Sequence, residues 1–149
     1  MYVDALTLVS DAQALSATGF STNTIDLSAP TVKRDIAVGE QMGFMITVDV
    51  AADAASGDET YTFQVVQSAN ANLSSPDVIA QVAIARATLV AGYGFFLPIP
   101  SNQITKQYLG MQYTLGGTTP SITVTAYLTT ARMASVPVPK AYVSGYSIQ

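Results

Sequence analysis

Apolar side chains occupy alternate positions along several short segments of this chain, and this alternation constrains its fold more than any other feature. From Met42 to Val50, apolar residues at the even positions alternate with Gly, Met, Thr and Asp. From Tyr61 to Val65 the pattern recurs, with Thr and Gln between the apolar residues. Because successive side chains of a strand point to opposite faces of a sheet, the pattern predicts strands with one buried face.

Turn-forming residues separate the alternating segments and predict hairpins. Residues 51–59, between the first two segments, include Asp, Ser and Gly, so we expect a hairpin with a long tip. Towards the C-terminal end, alternation over residues 109–115 and 122–128 flanks a loop that contains Gly116 and Gly117. Glycine adopts positive φ easily, so this pair of segments predicts a second hairpin.

Weaker strand signals fill the rest of the chain. Residues 78–84 predict a strand and residues 22–27 a short one. Residues 94–100 predict an edge strand, because their two prolines lack the donor that a central ladder needs. A chain of 149 residues with this pattern is predicted to be all-β and one domain, residues 1–149, as a β-sandwich, jelly roll or partly open barrel.

We expect a sandwich core over residues 21–135 and an extended arm at each end. Residues 1–20 show no clear helical period, although Ser10 and Gln13 match the capping box that can open a helix. Prolines disfavour a helix in residues 136–149. Apolar groups in such arms need burial, either on their own domain or across a neighbour, and both remain open. The candidate partner-binding anchors are Tyr2, Leu6, Leu8, Val9, Val136, Val138, Tyr142 and Tyr146.

Charge argues against nucleic acid and membrane partners. Charged residues make up 11% of the chain and the net charge is −4, with Lys33 and Arg34 as adjacent basic residues. DNA binding needs clustered basic side chains, and a membrane span needs about 20 apolar residues. The polar surface must come from Thr, Ser, Gln and Asn, which are easier to dehydrate against a partner protein than Lys and Glu. Equally, β proteins are commonly rich in Thr and Ser.

The residue types also argue against catalysis and cofactors. The chain has no His and no Cys, which removes the commonest neutral-pH base, the usual zinc ligands and the thiol nucleophile. Asp49, Asp53, Asp58 and Glu59 suggest a calcium loop, but they lack the alternating-acid spacing of such loops, so we interpret them as a solvated turn. We therefore expect no enzyme, no metal and no cofactor.

Five stretches carry a further signal in their order and spacing. They are residues 1–6 (MYVDAL), 10–15 (SDAQAL), 21–27 (STNTIDL), 34–40 (RDIAVGE) and 107–117 (QYLGMQYTLGG). Together they resemble the capsid cement, or decoration, proteins of short-tailed phages of the Bordetella-phage type. The resemblance spans most of the chain, with Gln107 at a position where the family commonly shows Arg.

This resemblance implies a jelly-roll-like β-sandwich on the outside of an icosahedral head, where it bridges major capsid subunits and stabilises the shell. The implied partners are the major capsid protein and further copies of the chain, as a homodimer or other homo-oligomer. Such a protein is made in the host cytoplasm and resides on the virion. Two alternatives stay open: a carbohydrate- or receptor-binding β-sandwich of a virion, and an unrecognised hydrolase, which the missing His and Cys disfavour.

Overall fold

The computed structural model describes residues 4–29, 32–33 and 39–134, and this part of the chain consists mainly of β-strands. In chain order the strands are β1 (Leu8–Leu15), β2 (Gly19–Phe20), β3 (Ile25–Asp26), β4 (Ser28–Ala29), β5 (Val32–Lys33), β6 (Met42–Val50), β7 (Thr60–Ser68), β8 (Asp77–Ile84), β9 (Gly94–Pro98), β10 (Tyr108–Gly116) and β11 (Ile122–Thr130). A 3₁₀ helix spans Arg86–Thr88 and a short helix, α1, spans Ala131–Ala134. The predicted all-β class is confirmed.

The long strands form two antiparallel sheets that pack against each other. Sheet A has the strand order β1-β11-β6-β9. Sheet B has the order β2-β10-β7-β8, with β3 also paired to β10. A separate ladder joins β4 to β5. The predicted β-sandwich is therefore confirmed.

The core lies between the sheets and is built from the alternating residues of the long strands. Strand β6 contributes Phe44, Ile46 and Val48, none of which is exposed. The Phe63 ring of sheet B meets the Phe95 ring of sheet A edge-on, with ring centroids 5.0 Å apart. Aromatic pairs in this arrangement add attraction beyond the area that they bury, so this contact ties the two layers together.

Neither predicted hairpin forms. Strand β6 lies in sheet A and β7 in sheet B, whereas β10 lies in sheet B and β11 in sheet A. Each intervening loop therefore crosses from one layer to the other, and β7 pairs with β8 and β10 instead. Alternation identifies the buried face of a strand. That face packs equally well in either layer of a sandwich, so the pattern does not identify the neighbouring strand.

The two crossing loops bind each other at one end of the sandwich. The Asp53 N–H donates to the Ser121 carbonyl at 2.8 Å. The Tyr61 hydroxyl donates to the Asp53 carbonyl at 2.9 Å and accepts from the Ser121 N–H at 3.2 Å. The Asp58 carboxylate accepts from the N–H and the hydroxyl of Thr118, both at 3.0 Å. These bonds satisfy polar groups of loops that have no ladder partner.

Most of the expected N-terminal arm, residues 1–20, is instead part of the sandwich. Strand β1 pairs with β11, with register shifts on either side of Ser10. The Ser10 hydroxyl donates to Gln13 Oε1 at 2.7 Å, so the two residues that match a helix cap close a bulge in a strand. The bulge interrupts the alternation, which is why the pattern hid this strand. Residues 1–3 lie outside the described residues.

The structure confirms two of the weaker strand predictions, shortens a third and does not describe the predicted C-terminal arm. Strand β8 matches the strand predicted over residues 78–84, and β9, which ends at Pro98, forms an edge of sheet A as predicted. Residues 22–27 contain only the short strand β3. The expected C-terminal arm, residues 136–149, lies outside the part of the chain that the structure describes.

Candidate interaction face

A row of apolar side chains crosses the outer face of sheet A. The strand registers place Leu8 opposite Tyr127, Tyr127 opposite Met45, and Met45 opposite Phe96. These four residues occupy the positions that alternate with the buried faces of their strands, and we call them the apolar row. Leu8, Met45 and Phe96 are half-buried. The row therefore offers apolar surface on the outside of the sandwich.

Two glycines allow the apolar row to lie close against the sheet. A Cβ at Gly43 would sit 2.7 Å from the tip of the Phe96 ring. A Cβ at Gly94 would sit 2.9 Å from the Met45 methyl group. Both distances are too short for real contacts, so Phe96 and Met45 cover the backbone where no side chain stands. Tyr127 is almost enclosed, and its burial raises the pKa of its hydroxyl.

Threonines border the apolar row on the same face. Thr125 lies opposite Thr47 in the next row of the sheet. The Thr125 hydroxyl donates to Asp49 Oδ2 at 2.7 Å and accepts from the Ala12 N–H at 3.0 Å. The polar groups beside the row are thus paired within the chain. A partner that covers this border would not have to supply those bonds.

Both described ends of the chain leave at one end of sheet A and carry exposed apolar residues. Leu6, 82% exposed, precedes β1, and Met133, 43% exposed, lies in α1 after β11. The Leu128 N–H donates to the Thr7 carbonyl at 2.9 Å, which holds the start of β1 beside the end of β11. Leu6 and Met133 therefore add exposed apolar surface near the Leu8 end of β1.

The outer face of sheet B has a different character. Gln112 lies opposite Gln64, which lies opposite Gln81, so three amide side chains form a row across β10, β7 and β8. Gln64 donates from Nε2 to Gln81 Oε1 at 2.9 Å and accepts from the Thr114 hydroxyl at 2.9 Å. This row is neutral and polar, whereas the corresponding row across sheet A is apolar.

The predicted anchors separate into three groups. Leu6 is exposed, and Leu8 belongs to the apolar row. Val9 is fully buried in the core, so the chain's own sandwich covers it and it presents no surface to a partner. The other five anchors lie outside the described residues: Tyr2, Val136, Val138, Tyr142 and Tyr146.

Sequence reasoning missed three members of the apolar row. Met45 and Tyr127 stand at alternating positions whose other neighbours are Gly, Thr and Asp, and a large apolar residue among them is a usable signal. Phe96 follows Phe95 directly, so alternation alone does not show which ring faces outward. The missing information was the register, which aligns the residues of four strands in one row.

The acidic residues of the turn between β6 and β7 serve structural roles. Glu59, 3% exposed, accepts from the N–H groups of Ser56 at 2.8 Å and Gly57 at 3.0 Å. The Arg86 guanidinium lies 3.7 Å from the same carboxylate. Among the described residues no group of three or more acidic side chains is placed to hold a metal ion. Asp49, Asp53, Asp58 and Glu59 instead cap loops or bond threonines.

A chain of buried hydroxyl groups links sheet B to sheet A. The Tyr113 hydroxyl lies 2.7 Å from Ser10 Oγ, which itself donates to Gln13 Oε1. Because the Ser10 hydroxyl uses its proton in the bond to Gln13, the Tyr113 hydroxyl is the donor in the bond between Tyr113 and Ser10. Burial raises the pKa of the Tyr113 hydroxyl. A hydroxyl held neutral in this way bonds one layer of the sandwich to the other.

A protein-family model matches most of the chain. The family model Bbp16 matches residues 9–133, which covers all strands from β1 to β11 except the first residue of β1. No curated protein matches the chain. Within residues 4–134, as far as they are described, no helix has the length and apolar character needed to cross a membrane.

Proposed function

The chain belongs to the Bbp16 family, a family of Bordetella phage proteins, and from this we propose that it is a capsid decoration protein. In this role it binds the outside of an icosahedral phage head and bridges neighbouring major capsid subunits. The function is structural and requires no catalytic group, metal or cofactor. The protein would then act as a component of the virion.

The observation that carries the proposal is the apolar row of sheet A together with the exposed side chains beside it. An apolar surface that a partner covers stabilises the complex by about 25 cal/mol for each Å² buried. Burial of about 100 Å² of the row and of Leu6 and Met133 would therefore contribute about 2.5 kcal/mol per copy. The Thr125 hydroxyl is already bonded to Asp49 and to the Ala12 N–H, so few polar groups in that area would lose a bond to water.

The proposed stabilisation of the shell follows from the thermodynamic linkage between binding and assembly. A protein that binds the assembled shell and not the separated subunits shifts the equilibrium towards the shell. Because many copies bind at once, modest affinity at each site produces a large total effect. A clamp across the seams between subunits would also resist the outward pressure of packaged DNA.

The direct test is binding to undecorated phage heads. Purified protein is mixed with the heads and sedimented, and the ratio of bound protein to major capsid protein is measured. We expect saturation at a defined stoichiometry and a higher temperature of head disruption. Sedimentation of heads with no bound protein at saturating concentrations would contradict the proposal.

A pair of variants tests the surface. Leu6→Asp places a charge at the Leu8 end of sheet A on a side chain that is 82% exposed, so folding should not suffer. We expect it to weaken head binding at least tenfold. Val50→Asp is the matched control, because Val50 is 59% exposed but pairs with Thr123 towards the other end of the sheet. Equal binding by the two variants would exclude the end of sheet A at Leu6 as a contact.

A second candidate function is glycan or receptor binding by the virion. The neutral row of Gln112, Gln64 and Gln81 favours it, since amide groups bond readily to sugar hydroxyls. Binding to a glycan array, abolished by Gln64→Ala and unaffected by Leu6→Asp, would support this function. Absence of glycan binding alongside head binding would leave decoration as the function.

A further inference from the structure

A groove of about 430 Å³ opens on the outer face of sheet B, at the end where β7 begins and β8 ends. Thr60, Thr62 and Ala83 line it, and all three stand at outward positions of their strands. Ala85 and Arg86, which follow β8, line it as well. Small-molecule sites of proteins commonly occupy about 300–1,000 Å³, so this groove is large enough for a small ligand.

The Arg86 guanidinium brings hydrogen-bond donors to the groove. Its Nε lies 3.7 Å from Glu59 Oε2, which makes an ion pair but is too long for a hydrogen bond. The Glu59 carboxylate is bonded instead by the N–H groups of Ser56 and Gly57. Within the part of the chain that the structure describes, no acceptor bonds to the guanidinium, so its five N–H groups are available to a ligand.

Two threonines add hydroxyl groups to the same groove. Thr60 lies opposite Gly116, and a Cβ at that glycine would sit 2.7 Å from Thr60 Oγ1, so the glycine leaves room beside the hydroxyl. Among the described residues, the hydroxyls of Thr60 and Thr62 have no hydrogen-bond partner. A hydroxyl can both donate and accept, so these two groups can bond to ligand hydroxyls in either direction.

The walls of the groove are held in place by bonds within the chain. The Ala85 carbonyl accepts from the Thr88 N–H at 2.9 Å, and the Arg86 carbonyl accepts from the Leu89 N–H at 3.1 Å. Leu89 is fully buried in the core, which fixes the 3₁₀ helix that carries Arg86. The opposite wall belongs to β7, which is paired on both sides. A site that is already formed loses little conformational freedom when a ligand binds.

The charges around the groove favour a neutral ligand. Glu59 and Arg86 offset one another, and Asp58 adds a second carboxylate to the same loop. The carboxylates repel an anion that approaches the guanidinium, and the guanidinium repels a cation. A neutral ligand with several hydroxyl groups avoids both costs, because its oxygens accept from Arg86 and its hydroxyls bond to the threonines. A saccharide also has C–H surface that packs against the methyl groups of Ala83 and Ala85.

We propose that this groove binds a neutral saccharide, with Arg86, Thr60 and Thr62 as the hydrogen-bonding residues. This site rests on the second candidate function, glycan binding, and narrows it to one class of sugar and one set of residues. Sheet B forms the opposite layer of the sandwich from the apolar row, so a copy bound to a head through sheet A would present the groove outward. Many copies on one particle would then raise the avidity of a weak single site.

A glycan array followed by a titration tests the class of ligand. The full chain, displayed in many copies on beads, is applied to neutral oligosaccharides and to matched ones that carry a carboxylate or a sulfate. We expect binding to neutral members, and at least tenfold weaker binding to their acidic counterparts. The neutral trisaccharide that binds best is then titrated into the chain in solution and followed by NMR. The largest amide shifts should fall on Thr62, Ala83 and Arg86.

Two pairs of variants test the residues of the groove. Arg86→Lys keeps the charge beside Glu59 but loses the planar fork of donors, so the trisaccharide should bind at least fivefold more weakly. Arg132→Lys, exposed in α1, is its control and should leave binding unchanged. Ala83→Leu fills the groove from an exposed position and should weaken binding at least tenfold. Its control is Ala71→Leu, exposed in the loop at the other end of β7.

Three results would overturn the proposed site: stronger binding to acidic glycans, equal affinities of Arg86→Lys and Arg132→Lys, or equal affinities of Ala83→Leu and Ala71→Leu. Circular dichroism and thermal unfolding verify that each variant folds. Binding that is lost in Gln64→Ala but kept in Ala83→Leu would assign the sugar to the amide row, so glycan binding would stand and the groove would fall. Absence of binding to every glycan would remove both and leave the proposed binding to phage heads untouched.

Discussion

The hydroxyl group of Tyr113 gives the sharpest test of a single side chain. It donates to Ser10 inside the sandwich, and both residues are fully buried. Tyr113→Phe removes this donor and leaves an acceptor site on Ser10 unfilled, so we expect a loss of about 1–2 kcal/mol in the free energy of unfolding. Urea denaturation measures this loss, provided that the dependence of the unfolding free energy on urea concentration is the same for both proteins.

The control for this substitution is Tyr108→Phe, whose hydroxyl accepts from Gln107 at 3.2 Å near the surface. Its effect should stay within about 0.5 kcal/mol. Because the pKa of Tyr113 is raised in the folded state, its contribution to stability is present below its ordinary value of 10.0 and is lost as pH rises towards the folded pKa. If the stability of Tyr113→Phe fell as steeply with rising alkaline pH as that of the unmodified chain, the raised pKa of Tyr113 would not contribute to stability.

The carboxyl group of Asp58 allows a corresponding prediction for the stability of the protein at acid pH. Bonds from the N–H and the hydroxyl of Thr118 lower the pKa of this carboxyl group from its ordinary value of 3.8. A depressed pKa means that the stabilisation is present above 3.8 and is lost as pH falls through the folded pKa. Asp58→Asn should therefore lower the Tm at neutral pH and flatten its decline in acid.

Thr118→Val is the companion variant for Asp58. It removes the hydroxyl donor and retains the N–H donor, so its acid profile should fall between those of the unmodified chain and Asp58→Asn. Thermal unfolding monitored by circular dichroism across the acid range measures all three. Identical acid profiles for the three proteins would show that the bond between the crossing loops contributes nothing.

At the scale of the strands, the close approach of β6 and β9 depends on Gly43. A Cβ at this position would lie 2.8 Å from Pro98 Cα and 2.7 Å from the Phe96 ring. Since backbone cannot move aside as a flexible side chain can, Gly43→Ala should cost about 1–3 kcal/mol and loosen β9. Hydrogen exchange would show the loss as faster exchange of amides in β9 than in β7.

Gly19→Ala provides the control, because a Cβ there would meet its nearest atoms at 3.9 Å, an ordinary contact distance. We expect it to change the stability by less than about 1 kcal/mol. Equal destabilisation by Gly43→Ala and Gly19→Ala would mean that contact with β9 does not limit position 43.

The strands themselves could be predicted from the sequence, whereas their partners could not. Regular alternation located β6, β7, β10 and β11, and prolines placed β9 at an edge. Strand β1 escaped because its bulge breaks the alternation. The strand partners were predicted wrongly because they depend on which loops cross the sandwich. Contacts that hold the crossing loops, such as the bond between Tyr61 and Ser121, join residues 60 positions apart in the sequence.

The candidate site was predictable only in part, for a related reason. Leu6 and Leu8 are predicted anchors because of their position near the N-terminus, and the structure shows Leu6 exposed and Leu8 half-buried. Val9 was not distinguishable from them, since the difference between a buried and an outward residue depends on the register of β1 with β11. An interface made of one residue from each of several strands has no local signature in a sequence.

At the scale of the whole molecule, the C-terminal segment provides the next test of the proposed function. Residues 136–149 follow α1 in the sequence, and α1 itself follows the end of β11, which lies beside the start of β1. Deletion of this segment should leave the circular dichroism spectrum and Tm nearly unchanged, because strands β1 to β11 all precede it, and should weaken binding to phage heads. Unchanged head binding would remove the segment from the proposal, and a collapsed Tm would assign it to the domain instead.

The pairing of β1 with β11 joins the first long strand of the described residues to the last. A ribosome must therefore release every residue from β1 to β11 before sheet A can close, since β11 also separates β1 from β6. Until then the nascent chain holds its apolar strands without their final neighbours and is exposed to aggregation. Prematurely terminated products that lack β11 would leave β1 without its partner and would be cleared as unfolded chains.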